Sequence, residues 1–157
     1  MIRNLENKVA WITGAGSGIG RDAAIKLSKL GMKVILSGRN KNSLQDTQER
    51  CKTKTIIKPV DVSKKSDVKD IFCEIKNEIG HVDILVNCAG IGYTEEIIDH
   101  NTKNFVKVFQ INCLGTFLCC KHIAKKMREN TDEEKGVIIN VASIAGTDGT
   151  SGQVAYS

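Results

Sequence analysis

Short apolar runs alternate along the chain with segments whose apolar residues recur at helical spacing. Runs with the length and β-branched content of buried strands cover residues 9–13, 33–37, 55–60, 82–86 and 137–141. Apolar residues recurring at intervals of three and four predict helices over residues 19–30, 42–51, 63–79 and 101–127. Ser63 resembles a helix N-cap, and Gly31 and Gly80 stand where a helix ends.

The regular alternation of strands and helices decides the fold class. It predicts an α/β protein with a doubly wound parallel sheet, helices on both faces and right-handed crossovers. A length of 157 residues fits one domain, and no repeat or low-complexity tract marks a second. The helix over 101–127 is too apolar for one exposed face, so we expect it to be buried against the sheet and against another subunit.

Composition and charge narrow the class of partner. The hydrophobic fraction of 41% and the charged fraction of 26% are those of a globular protein. The net charge of +5 comes from scattered lysines without interleaved aromatics, so a solvated lysine surface is favoured over nucleic-acid binding. Six cysteines form no metal-ligand spacing and suit a reducing compartment, so no metal is predicted. No apolar run has membrane-spanning length, and we expect a cytoplasmic protein, with an organelle left open.

A glycine-rich turn joins the first strand to the first helix. Residues 13–20 read T-G-A-G-S-G-I-G. Glycines here let the backbone approach a diphosphate, and the helix N-terminus adds partial positive charge. A glycine turn with only structural duties is the alternative. The binding residues predicted in this turn are Gly14, Ser17, Gly18, Ile19 and Gly20.

The turn and four later segments together resemble the short-chain dehydrogenase/reductase family. The turn has the spacing T-G-x-x-x-G-x-G, and residues 87–90, N-C-A-G, are similar to the family's N-N-A-G with cysteine replacing one asparagine. Asn112 lies in I-N-C-L-G-T-F, Ser143 follows the fifth strand, and Tyr156 comes thirteen residues later. The resemblance implies a Rossmann-like sheet of about five strands in the order 3-2-1-4-5. It also implies that residues 1–157 form a single NAD(P)-binding domain.

The resemblance also assigns the nicotinamide cofactor. Gly38 stands where an NAD-preferring relative carries aspartate, and Arg39 beside it can fork onto a 2′-phosphate. We therefore predict NADP(H) over NAD(H), with a solvated turn arginine as the alternative. Ser17 is neutral where some NADP-dependent relatives have a second basic residue, which suggests a modest preference.

Two further segments are expected to contact the cofactor. Asp61 and Val62 resemble the family's adenine-contacting pair, although Asp61 could instead precede a helix as a cap. Asn87, Ala89 and Gly90 would line the cofactor near the nicotinamide ribose. Cys88 is interpreted as a packing residue rather than a reactive one.

The resemblance implies three catalytic residues. Tyr156 would give a proton to the substrate, Ser143 would hydrogen-bond its carbonyl, and Asn112 would distort its helix and hold a water in a proton relay. A free tyrosine titrates near about pH 10, so such a donor needs a nearby cation. In the family this is a lysine four residues after the tyrosine, and the chain ends at Ser157. We therefore expect the C-terminal part of the fold to be lacking, or else a catalytically inactive nucleotide-binding or interaction protein.

The substrate is the least determined part of the prediction. Residues 136–140 and 152–157 resemble 3-oxoacyl-carrier-protein reductases and short-chain 3-hydroxyacyl-CoA dehydrogenases. The interpretation is an oxidoreductase interconverting a carbonyl and a secondary alcohol, with a 3-oxoacyl thioester as its substrate. A generic ketone, a steroid or a sugar stays open. The resemblance implies a homodimer or homotetramer for the complete protein.

Overall fold

A computed structural model describes residues 4–131 and 134–157 as one parallel sheet with helices on both faces. The strands of the sheet are β1 (Val9–Thr13), β2 (Lys33–Ser37), β3 (Thr55–Ile57), β4 (Ile84–Asn87) and β5 (Val137–Asn140). Their order is β3-β2-β1-β4-β5, and every neighbouring pair is parallel. The predicted fold class and strand order are confirmed.

Helices connect successive strands, as expected for right-handed crossovers. The α-helices are α1 (Gly18–Lys29), α2 (Lys41–Glu49), α3 (Lys65–Glu78), α4 (Thr102–Val108), α5 (Thr116–Met127) and the short α6 (Ala145–Asp148). A π-helical segment, Phe109–Gly115, joins α4 to α5. Helices within the described ranges lack the length and apolar character that a membrane span requires.

Two apolar layers sandwich the sheet. Residues alternate along β1, so that Ile12 belongs to one core cluster and Trp11 to the other. The Ile12 cluster includes Ala24 of α1 and Leu44 of α2, whereas α3 and α5 supply the Trp11 cluster. Both faces of the central strands are therefore buried, which explains why β1 reads as a continuous apolar run.

Several element boundaries differ from the prediction, among them the end of the third strand and the start of α3. The third strand was expected to reach Val60 but ends at Ile57. The Lys58 and Val60 amides still donate to the Leu36 and Gly38 carbonyls, and Pro59 between them lies just after the edge strand, where its missing amide hydrogen costs no bond to β2. The prediction that Ser63 caps α3 was wrong, because the N-cap is Lys64. The Ser63 amide and hydroxyl instead donate to the Asp61 carboxylate, at 3.1 and 2.7 Å.

The long apolar helix is present but contains a distortion that helical spacing did not predict. Residues Phe109–Gly115 are π-helical, and Asn112 lies in the middle of them. Gly115 is required there, because a Cβ at this position would lie 2.7 Å from a Cγ of Val62. One side of this helix packs on the sheet, while Phe109 and Phe117 on the other are 49% and 58% exposed.

Candidate functional site

Most predicted site residues lie at the carboxyl edge of the sheet. The register places Thr13, the last residue of β1, beside both Ser37 and Asn87, and Asn87 beside Asn140. The glycine turn, the loops after β2 and β4, and the Ser143 loop therefore leave the sheet at one edge. Chain order reverses between β1 and β4, and open α/β sheets bind ligands in the crevice outside such a reversal.

The glycine turn adopts a backbone that only glycine accommodates. Gly14 and Gly18 have φ values of 66° and 49°. A Cβ on Gly14 would lie 2.8 Å from the Ala89 amide nitrogen, and one on Gly20 would lie 2.4 Å from the Gly14 carbonyl oxygen. Open space surrounds the Cβ position of Gly18, and Ile19 is 65% exposed. The turn is thus packed against the sheet on one side and open on the other.

Thr13 joins the glycine turn to the loop after β4. Its Oγ1 accepts hydrogen bonds from the Cys88 and Ala89 amides, both at 3.2 Å. This contact fixes the path of residues 88–90 beside the turn. The sequence analysis missed it, although a threonine ending one buried strand before the first glycine was the available signal.

Arg39 and Asp61 follow the neighbouring strands β2 and β3, and the charge of Arg39 acts on Asp61. Arg39 is exposed. Partial burial tends to raise the pKa of Asp61, but hydrogen bonds from Ser63 and the positive charges of Arg39 and Lys64 together hold that pKa below its ordinary value. Asp61 is therefore a carboxylate at neutral pH.

Val62 faces the interior rather than the crevice. It is 6% exposed, and it packs against Gly115 of the π-helical segment. Its side chain therefore belongs to the core between the sheet and the long helix. An adenine ring could meet only its remaining exposed edge.

Hydrogen bonds between amide side chains close the end of β4. Asn87 donates through Nδ2 to Asn140 Oδ1 at 2.8 Å and to Cys120 Sγ at 3.3 Å. Within the described chain, the buried Oδ1 of Asn87 has no hydrogen-bond partner. Cys88 beside it packs against the core, and burial raises the pKa of its thiol. The structure thus places Asn87 as a bridge between β4 and β5.

Asn112 ties the π-helical segment to the loop after β4. Its Oδ1 accepts from the Ile91 amide at 2.9 Å, and its Nδ2 donates to the Ile91 carbonyl at 2.8 Å. A Cβ on Gly90 would lie 3.5 Å from the same Oδ1. The expected distortion at Asn112 therefore presents its amide to residues 90–91.

Tyr156 lies against the same loop one step further on. Its ring is 3.4 Å from the Cβ position of Gly92, and the residue is 36% exposed. The Glu95 amide donates to the Gly152 carbonyl at 2.7 Å, so residues 92–95 run alongside residues 152–156. Ser143 accepts from the Ala145 amide at 3.2 Å. In the described residues no hydrogen bond joins the Ser143 and Tyr156 hydroxyls.

Concave surfaces and metal ligands add little to this site. A cavity of about 290 Å³ lies at the opposite, amino-terminal edge of the sheet beside Leu5, Ile84 and Val137, remote from every predicted site residue. Another of about 190 Å³ lies between His100 and Val154, next to the tyrosine segment. Among residues 4–131 and 134–157, no three His, Cys, Asp or Glu side chains are placed to hold a metal ion.

Comparison with known proteins identifies similar chains. Residues 8–157 match the family model described as short chain dehydrogenase. The 3-hydroxyacyl-CoA dehydrogenase type-2 proteins of Drosophila melanogaster and Homo sapiens are 35% and 32% identical, over 98% and 99% of this chain and 64% and 63% of their own lengths. An uncharacterized oxidoreductase of Staphylococcus aureus (strain MRSA252) is 34% identical over 98% of this chain and 65% of its own length.

One solved structure shows the same fold. The crystal structure of ribose-5-phosphate isomerase from Brucella melitensis 16M superposes with a TM-score of 0.86 at 32% identity. The match covers 96% of this chain and 57% of that one. The chain thus spans slightly less than two thirds of the length of the curated relatives it matches.

Proposed function

The chain belongs to the short-chain dehydrogenase family, as its motifs predicted, and we propose that the protein is an NADP(H)-dependent oxidoreductase. It interconverts a carbonyl and a secondary alcohol. One observation carries the proposal: the glycine turn, the loop over residues 87–92 and the Tyr156 segment meet at the carboxyl edge where chain order reverses. Six free cysteines favour a reducing compartment such as the cytosol.

The glycine turn fits a dinucleotide. The positive φ of Gly18, the first residue of α1, and the open space at its Cβ position leave the backbone bare on the open side of the turn. A diphosphate can approach amide groups there without meeting a side chain, and the N-terminus of α1 favours its charge. Gly14, Ser17, Gly18, Ile19 and Gly20 would hold this part of the cofactor. Asn87, Ala89 and Gly90 follow along the crevice towards Tyr156.

The preference for NADP(H) rests on the end of β2. Gly38 supplies no carboxylate to bind a ribose 2′-hydroxyl, and Arg39 is exposed and can form two parallel hydrogen bonds to a phosphate. Asp61 keeps its charge and offers an acceptor to the adenine amino group. Val62 would contribute only its exposed edge.

The reacting residues divide the chemistry of the carbonyl group between them. When bound, the reduced nicotinamide supplies the hydride to the carbonyl carbon. Tyr156 donates its phenolic proton to the carbonyl oxygen, and Ser143 hydrogen-bonds the same oxygen. Asn112 holds residues 90–91 against the π-helical segment, which fixes the loop on which the Tyr156 ring rests.

We propose a 3-oxoacyl thioester as the substrate. Two relatives carry the name 3-hydroxyacyl-CoA dehydrogenase, and reduction of a 3-oxoacyl thioester is the reverse of such an oxidation. Apolar side chains next to the reacting residues, Ile144 and Val154, are exposed and suit an acyl chain.

The test is NADPH oxidation by the full-length protein with a 3-oxoacyl-CoA. In the Tyr156→Phe variant kcat should fall about 100-fold to 10,000-fold, because a positioned general acid contributes that much. The affinity for NADPH should stay within about two-fold, since the hydroxyl acts on the substrate. Tyr93→Phe is the matched control and should turn over normally. NADPH binding by the wild type without turnover of any carbonyl compound would favour the inactive binding protein instead.

A further inference from the structure

Arg21 in the first turn of α1 reaches two other segments at once. Its Nε donates to Thr47 Oγ1 of α2 at 3.0 Å, and its Nη2 donates to the Gly16 carbonyl in the glycine turn. A longer contact of 3.5 Å joins Nη2 to the Ser43 carbonyl. Only the fixed fork of a guanidinium can make these bonds together.

Thr47 completes the arrangement from the other side. Its hydroxyl is fully buried and lies 2.9 Å from the Ala15 carbonyl and 3.0 Å from the Ser43 carbonyl. It accepts from Arg21 and has a single proton to donate. We assign that proton to the Ala15 carbonyl, which has no other donor in the described residues, whereas Arg21 Nη2 also approaches the Ser43 carbonyl. Side chains from α1 and α2 therefore hold the two consecutive carbonyls of Ala15 and Gly16.

Holding these carbonyls fixes the direction of two amides. In a trans peptide the C=O of one residue and the N–H of the next point in opposite directions. The Gly16 and Ser17 N–H groups must therefore point away from Arg21 and Thr47. Within the described chain neither amide donates to a protein acceptor, and Ser17 is exposed. Two adjacent, unpaired N–H groups aimed the same way form a concavity for an anion.

We propose that Arg21 and Thr47 form a clamp that positions the diphosphate-binding amides of Gly16 and Ser17. Neither residue touches the cofactor; both act through the carbonyls of the glycine turn. This inference rests on the proposed function, because it assigns these amides to the dinucleotide diphosphate.

Loss of the clamp and a general loosening of α2 should weaken the binding of different ligands. Asn40, which caps α2 by accepting from the Ser43 amide, adjoins Arg39. Disordering α2 would therefore weaken the adenosine side of the site as well. Loss of the clamp alone affects only ligands that carry a diphosphate. Adenosine 2′-monophosphate, which has the 2′-phosphate and no diphosphate, separates the two effects.

The experiment measures dissociation constants of the full-length protein for NADPH and for adenosine 2′-monophosphate by calorimetry. Arg21→Met and Thr47→Val should weaken NADPH binding about 10-fold or more, the size of one charge-assisted or buried hydrogen bond. Both should leave the affinity for the monophosphate within about two-fold. Arg21→Lys keeps the charge but not the fork and should resemble Arg21→Met, whereas Thr47→Ser keeps the hydroxyl and should restore tight NADPH binding. Arg50→Met, at the far end of α2, is the control for loss of a guanidinium.

Steady-state kinetics give a second readout. The KM for NADPH should rise in the clamp variants, while kcat at saturating cofactor stays near the wild-type value, because the reacting residues are elsewhere. NADPH affinity unchanged in Thr47→Val, tight binding by Arg21→Lys, or equal weakening of the monophosphate would each overturn the clamp. Thr47→Val removes one hydroxyl and decides the question if Arg21→Met does not fold. A wild-type protein that binds no dinucleotide would overturn the proposed function, and the clamp with it.

Discussion

Gly38 is the residue at which the proposed preference for a cofactor phosphate can be tested most directly. It follows β2, its φ is not in the left-handed region, and a Cβ there would meet only Leu44 at 3.5 Å, an ordinary van der Waals contact. A side chain can therefore be added without strain in the glycine turn or the sheet. A carboxylate at this point would accept hydrogen bonds from a ribose 2′-hydroxyl and repel a 2′-phosphate.

Gly38→Asp is expected to reverse the proposed preference for NADP(H). The ratio of kcat/KM for NADPH to that for NADH should fall about 100-fold, since NADH gains a hydrogen bond from its 2′-hydroxyl to the carboxylate and NADPH gains a like-charge contact. Steady-state kinetics with both cofactors measure this ratio. Gly38→Ala fills the same space without charge, and an equal change in that variant would show that volume, not charge, decides the preference.

Residue types were easier to predict than residue partners. The need for glycine at 14 and 20 followed from the motif. The structure gives the reason, because a Cβ at either position would collide with neighbouring backbone atoms. By contrast, Thr13 holds the Ala89 amide 76 residues away, and the pairing of Arg21 with Thr47 spans 26 residues. A single sequence shows which side chains can donate or accept, but the pairing depends on which strands lie side by side. Ser63 was misassigned for a local reason, since its hydroxyl donates to Asp61, two residues earlier, rather than capping the helix.

At the scale of elements, apolar spacing located the strands and helices but not the π-helical segment. One extra residue accommodated within Phe109–Gly115 leaves the apolar pattern of the flanking helices nearly unchanged. The motif around Asn112 implied a distortion by resemblance. Its physical cause is visible only in three dimensions, where Gly115 approaches Val62 and Asn112 pairs with the Ile91 peptide.

Gly115→Ala tests how closely this segment is packed. Alanine normally stabilises a helix relative to glycine, but here its Cβ would lie 2.7 Å from Val62 Cγ2 and 3.1 Å from the Val62 carbonyl oxygen. The free energy of unfolding should fall by about 1–3 kcal/mol, the usual cost of overpacking. Urea denaturation measures this change. Adding Val62→Ala should recover part of it, and Gly146→Ala, where nothing lies within 4 Å, should cost little. A more stable Gly115→Ala protein would contradict the packing argument.

At the scale of the whole molecule, the parallel sheet explains why distant motifs lie along one edge. Every strand ends at the same edge, so segments near residues 14, 39, 61, 90, 143 and 156 converge without any long-range sequence signal. Strand order could be predicted because the family resemblance implied it. Short right-handed crossovers also restrict the alternative strand orders. The outer side of the long helix, which the sequence analysis expected to meet another subunit, is exposed in the described chain, with Phe109 and Phe117 49% and 58% exposed.

The exposed aromatic face of that helix leads to a prediction about assembly. Phe105 and Phe109 stack at a centroid distance of 5.2 Å, and Phe117 follows two turns later with the Lys121 ammonium 6.0 Å from its ring. We propose that this face pairs with the same face of a second copy, because a two-fold interface between identical helices buries both apolar stripes at once. Light scattering after size exclusion should then give a dimer or tetramer for the full-length protein. Phe109→Glu should shift it towards monomer, since a buried unpaired carboxylate opposes association by several kcal/mol.

The control for this prediction is Ile98→Glu, which adds the same charge at an apolar residue that is 88% exposed on the loop before α4. Glutamate there leaves the aromatic face intact, so the mass of the assembly should stay that of the wild type. If Ile98→Glu dissociates the protein as readily as Phe109→Glu does, net charge rather than the aromatic face governs assembly. If Phe109→Glu keeps the wild-type mass, the copies meet at another surface, and the aromatic face is not the interface between them.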